Sequence, residues 1–270
     1  VERASQIIAK ELGGRGLDGV VNNAGILVTP GPVEWTPMSS YRRMMEVNVF
    51  GMAAVTRSVL PLIRKAKGRI VNVASIAGRM ALPSQPAYCA SKHAVEGFSD
   101  VLRLDMKQWG VTVHIVEPGV FSQTGLYDTF QEGLTKNWNN LDERVKADYG
   151  EAYLEAYRKA LTRGLKLSNK DPADVARAMV HALTSPRPQY RYKVGLDSKY
   201  LVTLLTKLHE SWGDSIWGLI NGKAKEAVPA AASEGDKDIA TSRYAPDPLP
   251  RYLAGIGAAI AGLAMFKSRL

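Results

Sequence analysis

Strand-like segments rich in β-branched residues alternate with long helical stretches along this chain, and that alternation constrains the fold more than any other feature. The strand-like segments are DGVVNNAG, GRIVNVAS and GVTVHIVEPG, which begin at residues 18, 68 and 110. The stretches between them, 39–67 and 87–108, have the apolar spacing of helices. Strand–helix–strand units form parallel sheets with right-handed crossovers, so the sequence predicts an α/β fold.

The remaining segments extend this pattern at both ends. Residues 1–12 have helical spacing. The Asp171–Pro172 pair predicts the start of a helix that runs to about residue 184. YRYKVG, at 190–195, is predicted to form the last strand, and an irregular amphipathic region continues to residue 220.

Three glycines, Gly14, Gly16 and Gly19, have the G-x-G-x-x-G spacing of a dinucleotide-binding turn. Such a turn works when a strand precedes the glycines and a helix follows them, because the helix N-terminus then faces the pyrophosphate. Here a predicted helix precedes the glycines and a strand follows. We therefore interpret them as a helix end and a turn, and not as a phosphate site.

Ser75, Tyr88 and Lys92 form the pattern with the clearest chemistry. Tyr88 and Lys92 are four residues apart and so lie on one face of a helix. A nearby ammonium favours the phenolate and lowers the pKa of a phenol, which suits proton exchange with an alcohol or carbonyl. Ser75 follows a strand, where its hydroxyl would reach the same substrate oxygen.

Several motifs occur in a fixed order: NNAG at 22–25, Asn48 in MEVNVFG, Ser75, the Tyr88/Lys92 pair, and PG at 118–119. This set resembles the short-chain dehydrogenase/reductase family over about residues 1–195. GRMALPSQPAYCASKHAVEGFSDVLRLDM and VEPGVFSQTGLY are most similar to the branch that holds retinol, 17-beta-hydroxysteroid and 3-hydroxybutyrate dehydrogenases. The resemblance implies an NAD(P)-dependent oxidoreductase with a Rossmann-like, doubly wound parallel sheet.

The resemblance also implies roles for individual residues. Tyr88 would be the catalytic acid/base, Lys92 would lower its pKa and bind the nicotinamide ribose, Ser75 would position the substrate, and Asn48 would hold a water that continues the proton relay. The cofactor cleft would be lined by Asn22, Ala24 and Gly25, and the nicotinamide by Pro118, Gly119 and Val120. NAD is the expected cofactor, with NADP as the alternative.

Two departures from the family pattern accompany the resemblance. The chain begins near the helix before the family's fourth strand, so the sheet is expected to lack its first strands and the glycine-rich turn, and the chain alone to bind NAD weakly. Gln123 occupies a position where the family often has Thr, although Ser122 and Thr124 flank it. The dehydrogenase domain is expected to span 1–220.

A substrate lid is expected at about 120–170. Its aromatic residues would suit an apolar alcohol or ketone such as a retinoid or steroid, or would simply pack the lid helices against each other. They are Phe121, Tyr127, Phe130, Trp138, Tyr149, Tyr153 and Tyr157.

The C-terminal segments differ from the rest of the chain. Residues 221–250 are rich in Ala, Pro, Ser and charge and are expected to form a flexible linker. The uncharged stretch 252–266, within the tail 251–270, would be about 22 Å long as a helix, shorter than the ~30 Å hydrocarbon core of a bilayer. It is interpreted as a short membrane anchor, a helix packed on another subunit, or a disordered end. The expected location is intracellular, with endoplasmic reticulum or mitochondrial membranes as candidates.

Composition excludes several other classes of function. The formal net charge is +9, yet no basic run interleaved with aromatics is present, so nucleic-acid binding is not expected. The four histidines are scattered and the single Cys89 has no base beside it, which argues against a metal site and a thiol nucleophile. A homo-oligomer is expected from the resemblance.

The sequence thus predicts an enzyme that interconverts an alcohol and a carbonyl, with an apolar substrate. Two alternatives remain open: a catalytically silent, membrane-tethered binding or scaffold protein of the same fold, and a 3-hydroxybutyrate-type dehydrogenase.

Overall fold

The computed structural model describes residues 1–206, except residues 29, 126, 128, 129, 167, 169 and 170, and also residues 229 and 230. The predicted linker lies outside the described residues apart from 229 and 230, and the apolar tail lies wholly outside them. The chain divides into two compact units: residues 1–137 with 169–202, and residues 138–168 with those from 203 onward.

Helices and strands alternate through the first unit as the sequence predicts. The strands are β1 (Gly19–Asn22), β2 (Arg69–Val73), β3 (Thr112–Pro118) and β4 (Arg191–Val194). The helices of the described residues are α1 (Glu2–Glu11), α2 (Met38–Met45), α3 (Met52–Ala66), α4 (Pro86–Met106), α5 (Phe130–Asn139), α6 (Glu143–Lys166), α7 (Ala173–Thr184) and α8 (Thr203–Leu205).

The four strands form one parallel sheet in the order β1-β2-β3-β4. The register pairs Asn22 with Asn72 and Asn72 with Ile115, so β1, β2 and β3 end near the same edge. Val116 pairs with Tyr192, which places the end of β4 beside the end of β3. The predicted α/β parallel sheet is confirmed. The residues that follow the strands therefore lie together at the carboxyl edge of the sheet.

Apolar side chains cover both faces of the sheet. Ile70 and Val113 pack with α3 and α4 on one face. The next residue along β2, Val71, packs on the opposite face with Ala182 of α7 and Val194 of β4. Alternate residues of a strand point to opposite faces, so a strand buried on both sides is mostly apolar, as Ile70, Val71 and Val73 of β2 are.

The glycines near the N-terminus serve the turn and the packing of the chain. Gly13 and Gly14 follow α1 with φ of +55° and +87°, a conformation that glycine adopts without steric cost. A Cβ on Gly16 would lie 2.4 Å from the backbone nitrogen of Ala66, and one on Gly19 would lie 2.6 Å from Leu183. The interpretation as a helix end and turn is confirmed.

Both ends of α4 and the burial of β1 differ in detail from the sequence predictions. Pro86 is the first residue of α4 instead of part of the preceding loop, because proline has no N–H to lose at a helix start. That helix ends at Met106 and is followed by a 3-10 turn, Lys107–Trp109. The DGVVNNAG pattern predicts a buried strand, but β1 is half-buried, because it pairs only with β2 in the part of the chain that the structure describes.

One continuous helical stretch among the described residues, Met38–Ala66, is long and apolar enough by length and composition to cross a membrane. It comprises α2, a π-helical segment at Glu46–Gly51, and α3. Val59 and Ile63 pack with Ile70 of the sheet. Its apolar residues therefore contribute to the core of the first unit.

Candidate active site

Tyr88 and Lys92 lie on one buried face of α4, as their spacing predicts. The Lys92 Nζ is 5.8 Å from the centre of the Tyr88 ring. It donates a hydrogen bond to the main-chain oxygen of Val73 at 3.0 Å. Since Val73 is the last residue of β2, this bond holds the ammonium at the carboxyl edge of the sheet.

Ser75 lies two residues after β2 and is also buried. Its Oγ accepts a hydrogen bond from the backbone N–H of Ala77 at 3.1 Å, which begins a short 3-10 turn at Ile76–Gly78. Its side chain also forms a hydrogen bond with Tyr88. The structure therefore brings Ser75, Tyr88 and Lys92 together, as predicted.

The protonation of this group differs from the prediction. Burial raises the pKa of Tyr88 to about 12, and the hydrogen bond from Ser75 opposes that rise. Burial also lowers the pKa of Lys92 to about 8, although the nearby Glu96 carboxylate opposes the fall. The prediction that the pKa of Tyr88 is lowered is wrong for this structure, because desolvation of the phenolate outweighs the favourable interactions. Tyr88 is thus a neutral phenol at pH 7.

Asn48 lies in the π-helical segment and is buried. Its Oδ1 accepts from the N–H of Ile26 at 2.8 Å, and its Nδ2 donates to the oxygen of Ile26 and to the Ser91 Oγ, both at 3.0 Å. These bonds fix the loop that follows β1 against α4. The predicted water relay through Asn48 stays a prediction.

Asn22 ends β1 and bonds across the sheet. Its Nδ2 donates to the Asn72 Oδ1 at 2.8 Å and to the Thr56 Oγ1 at 2.9 Å. The Asn72 Nδ2 donates in turn to the Ser99 Oγ at 2.8 Å. The side chain of Asn22 therefore joins β1, β2 and α3, a structural role that sequence reasoning did not assign to it.

The loop after β1 brings Ala24 and Gly25 to the same edge of the sheet. Ala24 is exposed and Gly25 is half-buried. A Cβ on Gly25 would lie 3.5 Å from the Lys92 Nζ and 3.4 Å from the Asn48 Oδ1. The backbone of the NNAG motif thus lies against the ammonium, as a cleft at this position requires.

Pro118 ends β3, and Gly119 and Val120 follow it at the carboxyl edge. The Gly119 N–H donates to the oxygen of Val194 at 2.8 Å, which continues the pairing with β4. The Val120 N–H donates to the Oδ2 of Asp197 at 2.8 Å. Sequence reasoning missed Asp197, because nothing in the local pattern marks a residue that lies 77 positions away.

The aromatic residues of the expected lid fall into both compact units. In the first unit, Phe121 is buried and Tyr127 packs edge-to-face on Phe130 at 5.0 Å. Burial, with smaller electrostatic contributions from Tyr88 and Asp197, raises the pKa of Tyr127 above its ordinary value. The second unit holds the other members of the set: Trp138, Tyr149, Tyr153 and Tyr157.

A small cavity lies beside Tyr88 in the first unit. Most of its lining is apolar, and its polar contributors are Thr36, Ser84 and Gln85. Its apolar contributors include Leu27, Val28, Pro30, Met44 and Ala87. Such a lining suits an apolar group next to the phenol.

A cluster of charged side chains, which sequence reasoning missed, lies beyond Lys92 on the same face of α4. Arg191 of β4 donates to the Glu117 Oε1 at 2.8 Å, to the Asp100 Oδ2 at 2.6 Å, and to Glu96. Burial, together with the nearby Glu117 charge, raises the pKa of Glu96 to about 7. Glu96 is one helical turn from Lys92, so the cluster is continuous with the catalytic face.

The residues around Lys92 and Gly25 fit the nicotinamide and ribose half of a nicotinamide dinucleotide. An ammonium has three N–H donors, and the hydrogen bonds of the described residues use one of those on Lys92. Gly25, on which a Cβ would lie 3.5 Å from the Lys92 Nζ, has no side chain to block an approach to the ammonium. Among the described residues, no group of three or more His, Cys, Asp or Glu side chains is arranged to hold a metal ion.

The fold and this site together define a class of protein. The profile of the short chain dehydrogenase family matches residues 1–134. The chain belongs to this family, a family of NAD(P)-dependent oxidoreductases, and the class predicted from the sequence is confirmed.

Comparison with curated relatives indicates the branch of the family to which the chain belongs. It is 40% identical over 220 residues to retinol dehydrogenase 7 of Rattus norvegicus, covering 80% of this chain and 69% of that protein. It is 39% identical over 233 residues to dehydrogenase/reductase SDR family member 9 of Homo sapiens, covering 86% and 72%. It is 40% identical over 218 residues to 17-beta-hydroxysteroid dehydrogenase type 6 of Homo sapiens, covering 80% and 68%. The retinol and hydroxysteroid dehydrogenase branch is thus confirmed.

Solved structures agree on the fold. A short-chain dehydrogenase from Streptomyces avermitilis has a TM-score of 0.56 with 25% identity, covering 81% of this chain and 76% of that chain. A short chain dehydrogenase from Burkholderia cenocepacia in complex with NADP has a TM-score of 0.58 with 20% identity, covering 79% and 72%.

Proposed function

We propose that this protein interconverts an apolar alcohol and its carbonyl, with a retinoid or steroid as the substrate class and NAD(P) as the cofactor. The proposal rests on one observation: the buried side chains of Ser75, Tyr88 and Lys92 lie close together at the carboxyl edge of the sheet. The names of the curated relatives support the substrate class.

The residues of the candidate site have separate roles in the proposed reaction. When bound, the nicotinamide supplies hydride transfer to or from the substrate carbon. Tyr88, a neutral phenol at pH 7, donates its proton to the carbonyl oxygen during reduction and becomes a phenolate. In the oxidative direction the phenolate accepts the proton of the alcohol and returns to the phenol. The Ser75 hydroxyl forms a hydrogen bond with the same oxygen, and the Lys92 ammonium stabilises the phenolate that forms. Asn48 fixes the loop that bounds the cleft.

The surroundings of Tyr88 support an apolar substrate. The cavity beside the phenol is lined mainly by apolar side chains such as Leu27 and Met44. Phe121, Tyr127 and Phe130 of the first unit follow the strand end that carries Gly119 and Val120. An apolar body held on one side of the phenol would bring its oxygen to Tyr88 and Ser75 while excluding water.

Exchange of Tyr88 for Phe in the full-length protein tests this function. Turnover of all-trans-retinol or a 17β-hydroxysteroid with NAD(P) is expected to fall by about a hundredfold or more, because the proton donor is lost. Affinity for the cofactor, measured by quenching of protein fluorescence, is expected to stay within about twofold. Tyr190→Phe, at an exposed tyrosine, is the matched control. Undiminished turnover in Tyr88→Phe would refute the proposal and favour a silent scaffold.

We also propose that the tail 251–270 associates with a membrane and that the protein is a homo-oligomer. An apolar substrate dissolves in membranes, so attachment there would raise its concentration at the enzyme. The uncharged stretch 252–266, flanked by Arg251 and Lys267, supports the proposal for the tail.

A further inference from the structure

Glu96 lies one helical turn beyond Lys92 on the buried face of α4, and the proposed reaction gives it no role. Each of the two residues is only 5% exposed. Residues four apart on a helix have neighbouring side chains. The Glu96 carboxylate therefore lies next to the ammonium that the reaction uses.

The turn that begins at Ser75 encloses this part of α4. A Cβ on Gly78 would lie 2.7 Å from the main-chain oxygen of Lys92 and 2.9 Å from the Glu96 Cγ. The Gly78 N–H donates to the main-chain oxygen of Ser75 at 2.9 Å. The turn that carries the substrate-positioning hydroxyl thus packs directly on the Glu96 side chain.

Charged groups from several elements face Glu96. Arg191 of β4 donates to the Glu96 Oε2, and the same guanidinium also pairs with Glu117 of β3 at 2.8 Å and with Asp100 of α4 at 2.6 Å. Arg79, which follows the turn, lies 4.0 Å from the Glu117 carboxylate. The Glu96 Oε1 is buried and has no hydrogen-bond partner among the described residues. One guanidinium serves three carboxylates, so a further cation beside Glu96 is favoured.

The surroundings of Lys92 make Glu96 its acidic neighbour. The ammonium donates to the main-chain oxygen of Val73, lies 5.8 Å from the centre of the Tyr88 ring, and faces the backbone of Gly25. Burial lowers the pKa of Lys92 to about 8, and the Glu96 charge opposes this fall.

We propose that Glu96 is a positioning residue of the proposed reaction that acts through Lys92, because its buried carboxylate keeps the ammonium charged beside Tyr88. This inference rests on the proposed function and adds a residue that does not touch substrate or cofactor. An uncharged lysine would not stabilise the phenolate that forms when Tyr88 gives up its proton. Opposite charges about 6 to 8 Å apart at an effective dielectric of about 20 change a pKa by roughly one to two units.

The experiment separates the charge of Glu96 from its packing. Glu96→Gln removes the charge and keeps the shape, whereas Glu96→Asp keeps the charge on a shorter side chain. We would measure kcat/KM for reduction of all-trans-retinal or a 17-ketosteroid with NAD(P)H from pH 6 to pH 9, on the full-length protein and each variant. Asp105→Asn, which removes an exposed carboxylate of the same helix, is the matched control.

The expected result is a loss of activity that depends on pH. At pH 6 the wild-type Glu96, with a pKa of about 7, is already protonated and Lys92 is charged, so Glu96→Gln is expected to match wild type within about twofold. At pH 8 the variant is expected to be about fivefold less active, because the upper limb of its pH profile has moved down by about one unit. Glu96→Asp and Asp105→Asn are expected to keep the wild-type limb.

Two results would overturn the inference. One is a Glu96→Gln profile whose upper limb stays at the wild-type pH or whose activity is lowered equally at every pH, as a purely structural role would require. The other is an upper limb that moves as far in Glu96→Asp as in Glu96→Gln. Undiminished turnover in Tyr88→Phe overturns the proposed function instead.

Discussion

At the scale of single residues, Asn48 shows how one amide organises the site. Its side chain makes three hydrogen bonds, two of them to the main chain of Ile26 and one to Ser91. Ile26 follows Gly25, which lies against Lys92. The partners of Asn48 lie 22 and 43 residues away, so the sequence singled out the residue by motif but did not predict these bonds.

Replacement of Asn48 by Ala tests this role. The free energy of unfolding, measured by urea denaturation, is expected to fall by about 2 kcal/mol or more, because the half-buried N–H and C=O groups of Ile26 lose their partner. Turnover is expected to fall as well, since the loop beside Lys92 is released. Asn140→Ala, at an exposed position, is the control. A loss below about 0.5 kcal/mol would contradict the structural role.

At the scale of elements, α4 carries the chemistry and its electrostatic support on one face. Tyr88, Lys92 and Glu96 follow one another at intervals of four residues, and all three are buried. Arg191 of β4 reaches this face and pairs with Glu96 and Glu117. The helix therefore places an ammonium between a phenol and a carboxylate, and the strand supplies the compensating guanidinium.

The raised pKa of Glu96 predicts how stability depends on pH. The folded state holds this proton up to about pH 7, while the unfolded chain releases it near 4.5, so the free energy of unfolding falls as pH rises through that window. Glu96→Gln removes this contribution. The variant is expected to gain stability relative to wild type by about 2 kcal/mol between pH 5 and pH 7.5.

Urea denaturation at closely spaced pH values, analysed as the difference between wild type and Glu96→Gln, isolates this group from others that titrate nearby. Glu11→Gln, on the exposed side of α1, should leave the pH dependence unaltered. A constant difference across the window would show that Glu96 is already ionised at pH 5.

Local sequence pattern predicted the positions of Ser75 and Tyr88 but not the contacts that depend on β4. Ser75 ends a strand segment and Tyr88 begins a helix, so their meeting at the sheet edge followed from the parallel βαβ rule. The contacts of Asp197 and Arg191 depend on how β4 pairs with β3, across 77 and 74 residues. Apolar periodicity carries no information about that register. The pKa of Tyr88 was mispredicted because burial is a property of the packed fold.

At the scale of the whole molecule, the proposed membrane association is tested by deletion of residues 251–270. The full-length protein is expected to sediment with membranes, and the deleted form is expected to remain in the supernatant, because the uncharged stretch provides the apolar area for binding. Deletion of 231–250, which has the same length, should leave the distribution unaltered. Unchanged sedimentation after removal of 251–270 would eliminate the tail as an anchor.

The pairing of Arg191 with two buried acidic side chains, Glu96 and Glu117, also has a consequence for the order in which the protein folds. Glu96 and Glu117 are synthesised long before the guanidinium that pairs with them, by 95 and 74 residues. A carboxylate that is buried without a partner costs several kcal/mol. A nascent chain that ends before Arg191 therefore lacks the counterion its interior needs, and we expect the helix that carries the phenol and the ammonium to pack stably only after β4 has left the ribosome.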